Sequence, residues 1–353
     1  MPIARTRRTK KHSRTRRRPH LITRDVSPGG PGTLWEPDMG ITQSLLSRFK
    51  ECRRKCALYL NGFQPVGLSE ARLFGDLFHL FLGTLYGEVM TKRSVAAIRE
   101  TMSQSVAMAK RAGEVWLRSQ ARVFAGADMM QKLEYLRALA EAMFPAYVNR
   151  YQEDLLSWRW HGVESEFRVE FGGHLLRGKR DGLVSRERKA QKHPRLWLFE
   201  TKTRAQVSGD ILSEEAFSFQ KLFYLLATEL ETGRPPEGAI LNLVRRPGLR
   251  QGKTEDWPAF MVRVQKDVGA REDHYFKRYT LTFPPVVRTE FREELEAALD
   301  DFQVWAGLQG MPTYKNERAC KGLGSCDYLT ACATGSLASY ARGTCLFTEL
   351  EES

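Results

Sequence analysis

Two segments decide how this chain is read: Leu175-Leu-Arg-Gly-Lys-Arg-Asp-Gly-Leu-Val184 and, after a polar stretch, Leu196-Trp-Leu-Phe-Glu-Thr-Lys202. As two strands of a hairpin they would bring Asp181, Glu200 and Lys202 together at a strand end. Two carboxylates offer hard oxygen ligands to Mg²⁺, and a neighbouring ammonium sits beside an attacking water, which is what metal-dependent phosphodiester hydrolysis needs. An acid-x-Lys pair is a weak signal alone, and the chain holds a second copy, Glu187-Arg-Lys189. That copy lies among Arg186, Arg188 and Lys192 and reads as a solvated hairpin tip. Only Glu200 follows a buried-strand pattern.

Composition bounds the rest. The 353 residues, 42% hydrophobic and 27% charged, fit a globular protein of one large domain or two ordinary ones. No apolar run approaches the ~18–20 residues of a membrane span, so a soluble, cytoplasmic protein is expected. The net charge of +13 is uneven. Ten of the 55 Lys and Arg precede Asp25, the first acid, so the other 45 face 42 acids and the body is near neutral at +3. Residues 1–40 form a basic tail with few apolar residues, closed by Pro28-Gly-Gly-Pro-Gly32, and are expected to be disordered. A nonspecific nucleic-acid-binding arm and a targeting segment both fit it.

Helical spacing starts at Ser44-Leu-Leu-Ser-Arg-Phe-Lys-Glu-Cys-Arg-Arg-Lys-Cys-Ala-Leu-Tyr-Leu60 and returns, for example, at Ala71–Val89 and Met130–Ala146. From Val163 the period changes to alternation. Strands are expected near 163–171, 175–184 and 195–203, then a helix near 213–232 and a buried strand at Ala239–Val244. Alternation at Phe260–Val264 and Tyr279–Phe283 predicts two further strands, and Glu290–Ala306 a late helix. That order gives an α/β fold, a mixed sheet flanked by helices behind an N-terminal helical region.

Asp181, Glu200-Thr-Lys202 and Gln220-Lys-Leu-Phe-Tyr224 together resemble the PD-(D/E)XK nucleases, with their restriction-endonuclease-like core. The nearest branch holds RecB-type exonuclease domains, CRISPR-adaptation nucleases and related phage exonucleases. Phe74-Gly-Asp-Leu-Phe-His79 resembles its early helix with a metal-facing His, and Glu164 the acid on its first strand. The resemblance implies a nuclease domain over 41–335: a helical part at 41–160, a catalytic sheet at 161–285, and a helix with a cysteine cluster at 286–335. Residues 336–353 are left as a C-terminal tail. It implies Mg²⁺ or Mn²⁺ on Asp181, Glu200, the Thr201 carbonyl and His79, whose imidazole suits Mn²⁺ better. Lys202 would orient or deprotonate water, and Gln220 and Tyr224, one helical turn apart, would face the cleft. DNA is the implied partner, with a helicase or recombination protein beside it, in a bacterial or phage setting. An exonuclease, an endonuclease on the same fold and a noncatalytic DNA-binding or adaptor protein stay open, as does the oligomeric state.

Six cysteines form a second constellation: Cys52, Cys56, Cys320, Cys326, Cys332 and Cys345. No secretory signal accompanies them, which favours metal binding over disulfides. Cys320-x₅-Cys326-x₅-Cys332, with Phe49-Lys-Glu-Cys52 upstream, resembles the cysteine set of iron–sulfur members of the same branch. There four thiolates hold a [4Fe–4S] cluster, although the usual terminal spacing is Cys-x₂-Cys-x₅-Cys. Cys56 as a ligand, a Zn²⁺ site and plain core thiols stay open. Gly248-Leu-Arg-Gln-Gly-Lys-Thr254 is one residue short of a phosphate-binding loop and is expected to be a basic hairpin followed by a strand, so no ATPase motor is expected.

Overall fold

The computed structural model describes residues 34–347 and Leu350, except 66–68, 124–125, 188–191, 207–209, 308–312 and 321–325. The basic tail up to residue 33, Arg188 and Lys189 of the second acid-x-Lys copy, and 348–349 and 351–353 lie outside the described residues.

Strand β1 (Ile41–Thr42) leads into α1 (Gln43–Glu51) and α2 (Arg53–Leu60). These are two helices where one was expected. The break is Cys52, whose backbone is extended at φ −162°, ψ 117°. Thr42 caps α1, its Oγ1 accepting the Leu45 N–H at 3.1 Å. After β2 (Phe63–Pro65) come the long helices α3 (Glu70–Thr91), α4 (Val95–Val123) and α5 (Ala127–Arg150), and the short α6 (Gln152–Ser157). The sheet then forms from β3 (Arg159–Phe171), β4 (His174–Ser185) and β5 (Leu196–Arg204). The helix expected at 213–232 is split into α7 (Ile211–Ala216) and α8 (Phe219–Thr232), and α8 leads to β6 (Gly238–Arg245).

The strand expected at Phe260–Val264 is wrong. That segment lies in helix α9 (Trp257–Ala270), capped by Asp256, which accepts the Ala259 N–H at 2.8 Å. Phe260, Val264 and Val268 are buried while Val262 is 48% exposed, so the period is four residues, not two. The near-match to a phosphate loop is therefore followed by a helix, contrary to expectation. Its anion position is nonetheless filled from within, because Glu255 accepts the Gly252 N–H at 2.9 Å and pairs with Arg263 at 2.7 Å.

Helix α10 (Glu272–Tyr275), β7 (Phe276–Leu281), α11 (Pro285–Gly307), α12 (Glu317–Cys320), α13 (Leu329–Thr334) and β8 (Tyr340–Arg342) complete the chain. The segment past 336, expected as a tail, pairs β8 with β2 and buries Leu346, Phe347 and Leu350 in the core.

The main sheet runs β1-β4-β5-β6-β7, with β3 on the other edge of β4. β5 and β6 are parallel, joined through α7 and α8; β3/β4, β4/β5 and β6/β7 are antiparallel. Helices cover both faces, which is why β6 is buried along nearly its whole length. Ala239, Leu241 and Leu243 join a core with Phe49, Phe223 and Phe302 from α1, α8 and α11. Ile240 and Val244 point the other way, into a core with Phe78, Phe144 and Phe260 from α3, α5 and α9. No described helix is long and apolar enough to cross a membrane.

Candidate active site at a strand fork

Strand β4 changes partner along its length. Gly182–Ser185 pair with β5, whereas Leu176 and Arg177 pair with β1. Between them, at the fork where β5 leaves, stands Asp181. On its other edge Val163↔Gly182 and Ser165↔Arg180 place Glu164 directly opposite Asp181. Glu164 has a left-handed φ of 45°, a strained conformation for a side-chain-bearing residue, costing of order 1–3 kcal/mol.

Helix α3 brings the third group. His79 Nδ1 lies 3.5 Å from Asp181 Oδ2, and His79, Glu164 and Asp181 each offer a ligand atom within 4.8 Å of the others. Among the described residues this is the one such group of His, Cys, Asp and Glu. The close approach is made by Gly75 and Gly83, one helical turn on either side of His79. A Cβ at Gly75 would stand 2.8 Å from Thr203 Oγ1, and one at Gly83 would stand 3.1 Å from Glu164 Cγ. A larger residue at either position would push α3 off the strands that carry the acids.

β5 supplies the remainder by alternation. Glu200 and Lys202 face α8: the Lys202 ammonium donates to Glu200 Oε1 at 2.8 Å and to Gln220 Oε1 at 2.5 Å. Thr201 faces the α5 side, and its backbone N–H donates to Asp181 Oδ2 at 2.7 Å. Sequence-expected Asp181, Glu164, His79, Glu200, Thr201, Lys202 and Gln220 thus converge on the fork. Tyr224 lies one turn further along α8. It is buried against Phe167 and Gly178, because one turn along α8 the helix already packs on β3 and β4. Glu187 is exposed past the end of β4, and its carbonyl accepts the Ser185 hydroxyl at 3.1 Å.

The electrostatics follow from crowding. Burial first, and then Asp181, push the Glu200 carboxyl above its ordinary range, against the pull of Lys202. Glu164 is raised for the same two reasons, opposed by His79 and by Lys179, which pairs with it at 3.4 Å. Burial works against the Lys202 ammonium, but Glu200, Asp181 and Glu215 outweigh it and its pKa is raised. Repelling carboxylates and an imidazole around one point form a donor set of hard oxygens and nitrogen that fits Mg²⁺ or Mn²⁺.

Sequence reasoning missed Gly83, Lys179 and Asn242. Gly75-x₃-His79-x₃-Gly83 was visible as helical spacing, and Asn242 as the lone polar residue inside an apolar strand. The pairing of Lys179 with Glu164 needs the β3/β4 register and had no signal.

The model of the PD-(D/E)XK nuclease superfamily matches residues 41–333. The chain belongs to that superfamily, and its fold of a mixed sheet flanked by helices is the corresponding one. No curated protein matches it. A solved structure from Eubacterium rectale, described as a "putative exonuclease", is similar at 11% identity. The likeness covers 84% of this chain and 94% of that one with a TM-score of 0.47, and adds nothing to the family assignment.

The cysteines gather elsewhere. Cys52 Sγ, at the α1/α2 break, points at the Tyr314 carbonyl 3.8 Å away. Asn316 donates to the Glu51 carbonyl at 2.8 Å, and Tyr328 to the Phe63 carbonyl at 2.7 Å. Burial raises the Cys326 thiol, with Cys320 and Cys332 adding to the rise; it raises Cys332, with Cys52 and Cys320 adding. Cys56 is fully buried in α2, its thiol pushed up by burial.

Proposed function

We propose that this superfamily member is a metal-dependent DNA nuclease, acting as an exonuclease on DNA ends or single strands in recombination, repair or phage replication. The observation that carries the reading is the convergence of His79, Glu164 and Asp181 on one point, with Lys202 held between Glu200 and Gln220 beside it. Asp181, Glu200, His79, Glu164 and the Thr201 carbonyl would hold Mg²⁺ or Mn²⁺, which when bound lowers the pKa of water and neutralises phosphoryl charge. Asp181 is oriented by the Thr201 amide. Lys202, hydrogen-bonded to Glu200 and Gln220, orients or deprotonates the attacking water and stabilises charge developing on the phosphate. Gln220 fixes the Lys202 amine.

The account of the cysteines is that Cys52, Cys320, Cys326 and Cys332 hold a [4Fe–4S] cluster. A Zn²⁺ site on the same thiolates is the alternative. The loop closed between Cys52 and Cys320 spans 268 residues, a closure entropy of about 5 kcal/mol. The cluster is structural, and the basic tail adds nonspecific attraction for DNA phosphates.

The test is cleavage of end-labelled linear DNA and of plasmid circles, each with Mn²⁺ and with EDTA. Mn²⁺-dependent loss of the linear substrate with intact circles is expected. Cut circles would move the assignment to an endonuclease. No cleavage of either would leave a noncatalytic DNA-binding protein.

A further inference from the structure

Behind the fork lies a buried polar network that the reaction does not use directly. Arg278 of β7 is enclosed by the rings of Tyr151, Phe199 and Trp158, with its guanidinium carbon 3.5, 5.0 and 5.2 Å from their centres. It pairs with Asp154 of α6, and its Nη2 donates to the Tyr86 and Tyr147 hydroxyls, each at 2.9 Å. Three helices, α3, α5 and α6, thus lock one arginine against the sheet. Each guanidinium nitrogen of Arg278 has a partner, as buried charged groups ordinarily do.

Among the described residues, Asn242 carries the hydrogen bonds that run from this cage to the fork. Its Oδ1 accepts from Tyr147 at 3.0 Å and from Arg278 Nε at 3.1 Å, while its Nδ2 donates to Thr201 Oγ1 at 3.1 Å. The Asn242 side chain is fully buried, and Asn242 and Thr201 are cross-strand partners in the β5/β6 register. The next bond in the chain is the Thr201 N–H on Asp181.

We propose that Asn242 is a positioning residue: by gripping the Thr201 hydroxyl it fixes the Thr201 peptide, and with it the Asp181 carboxylate, relative to the helical half of the molecule. The inference rests on the nuclease reading of the same site. An apolar side chain at 242 would satisfy the strand but leave the peptide free to tilt. Groups standing behind metal ligands typically change metal affinity or activity by about 10–100-fold.

Asn242→Leu would strip Arg278 and Tyr147 of a partner and threaten the fold, so the decisive variant is Thr201→Val. It is nearly isosteric and cuts the Asn242–Thr201 bond, keeping the Thr201 amide on Asp181 and the Arg278 cage. Mn²⁺ binding to DNA-free protein is titrated by calorimetry, and cleavage kinetics are run beside it. Thr201→Val should bind Mn²⁺ about tenfold more weakly and lower kcat by about 10–100-fold with the KM for DNA unchanged; Thr201→Ser, which keeps the hydroxyl, should restore both. Mn²⁺ affinity and kcat equal to wild type in Thr201→Val, or no rescue by Ser, would overturn the proposal. Wild-type protein that binds Mn²⁺ yet cleaves nothing would refute the nuclease reading alone, and the Mn²⁺ titration would still decide the role of Asn242.

Discussion

The strand fork and the cysteine clasp crowd like groups together for opposite ends. At the fork, burial and then the nearby Asp181 push the Glu164 and Glu200 carboxyls upward, and the crowding is set by β3, β4, β5 and α3. At the clasp, burial and then neighbouring thiols raise Cys326 and Cys332, and Cys52 at the α1/α2 break reaches Cys332 across 280 positions of sequence, where α12 and α13 have four and six residues. The fork is built on long strands and a long helix; the clasp has little regular structure of its own. Loss of a ligand should therefore abolish chemistry at the first and weaken folding at the second.

The largest effect belongs to the fork. Glu200→Ala and Lys202→Ala should each lower Mn²⁺-dependent DNA cleavage by about 10³-fold or more, since charge stabilisation and water orientation are lost, while circular dichroism and melting temperature stay near wild type. Parallel loss of the folded signal would make them structural residues. The clasp should behave in reverse. Cys326→Ala and Cys332→Ala should lose the brown colour and about four irons of anaerobically purified protein, melt earlier, and be cut more easily by protease near both ends of the domain, because cluster binding contributes to folding. Residual folded protein should still cleave DNA. Colourless wild type with stoichiometric zinc would change the metal and keep the clasp; colourless, metal-free wild type of equal stability to the variants would remove it.

A smaller effect separates packing from chemistry on α3. A Cβ at Gly87 would meet nothing within 4 Å, so Gly87→Ala should stabilise the helix by up to about 1 kcal/mol with cleavage unchanged. Gly83→Ala gains the same propensity but presses on Glu164, and should cut cleavage several-fold. Equal activity in the two alanine variants would show that the spacing of α3 from β3 is not critical.

The smallest effect is in pH. Glu164 and Glu200 have raised pKa values when folded and metal-free. Their contribution to stability is therefore full below the ordinary carboxylate value and is lost as pH rises through the raised one. Melts in EDTA should fall over that window, Glu200→Gln should flatten the fall, and Mn²⁺ should restore stability at neutral pH. The same slope in Glu200→Gln would assign it to other groups.

How much was legible depended on which residues carried the signal. Asp181 and Glu200-Thr-Lys202 could be found because a charged residue ending an apolar strand has few structural uses. The helix α9 could not be found from alternation: Phe260, Val262 and Val264 satisfy both periods over five residues, and only the Asp256-Trp-Pro258 cap and Val268 separate them. Cys52 hid a helix break because its neighbours keep helical spacing on both sides. Helical spacing put Tyr224 on the same face as Gln220, but that spacing does not say where α8 crosses the sheet, and the packing of its ring against Phe167 had no signal. Asn242 read as a blemish in a strand until the β5/β6 register paired it with Thr201.

Mn²⁺-dependent cleavage of end-labelled DNA by wild type, Asp181→Asn and Glu187→Ala, with Mn²⁺ binding measured on the same preparations, tests the strand fork most directly. Wild type and Glu187→Ala should cleave alike and bind Mn²⁺ alike, and Asp181→Asn should lose both binding and cleavage while remaining folded. Equal loss in Asp181→Asn and Glu187→Ala, or full activity in Asp181→Asn, would contradict the assignment of the metal site to the fork.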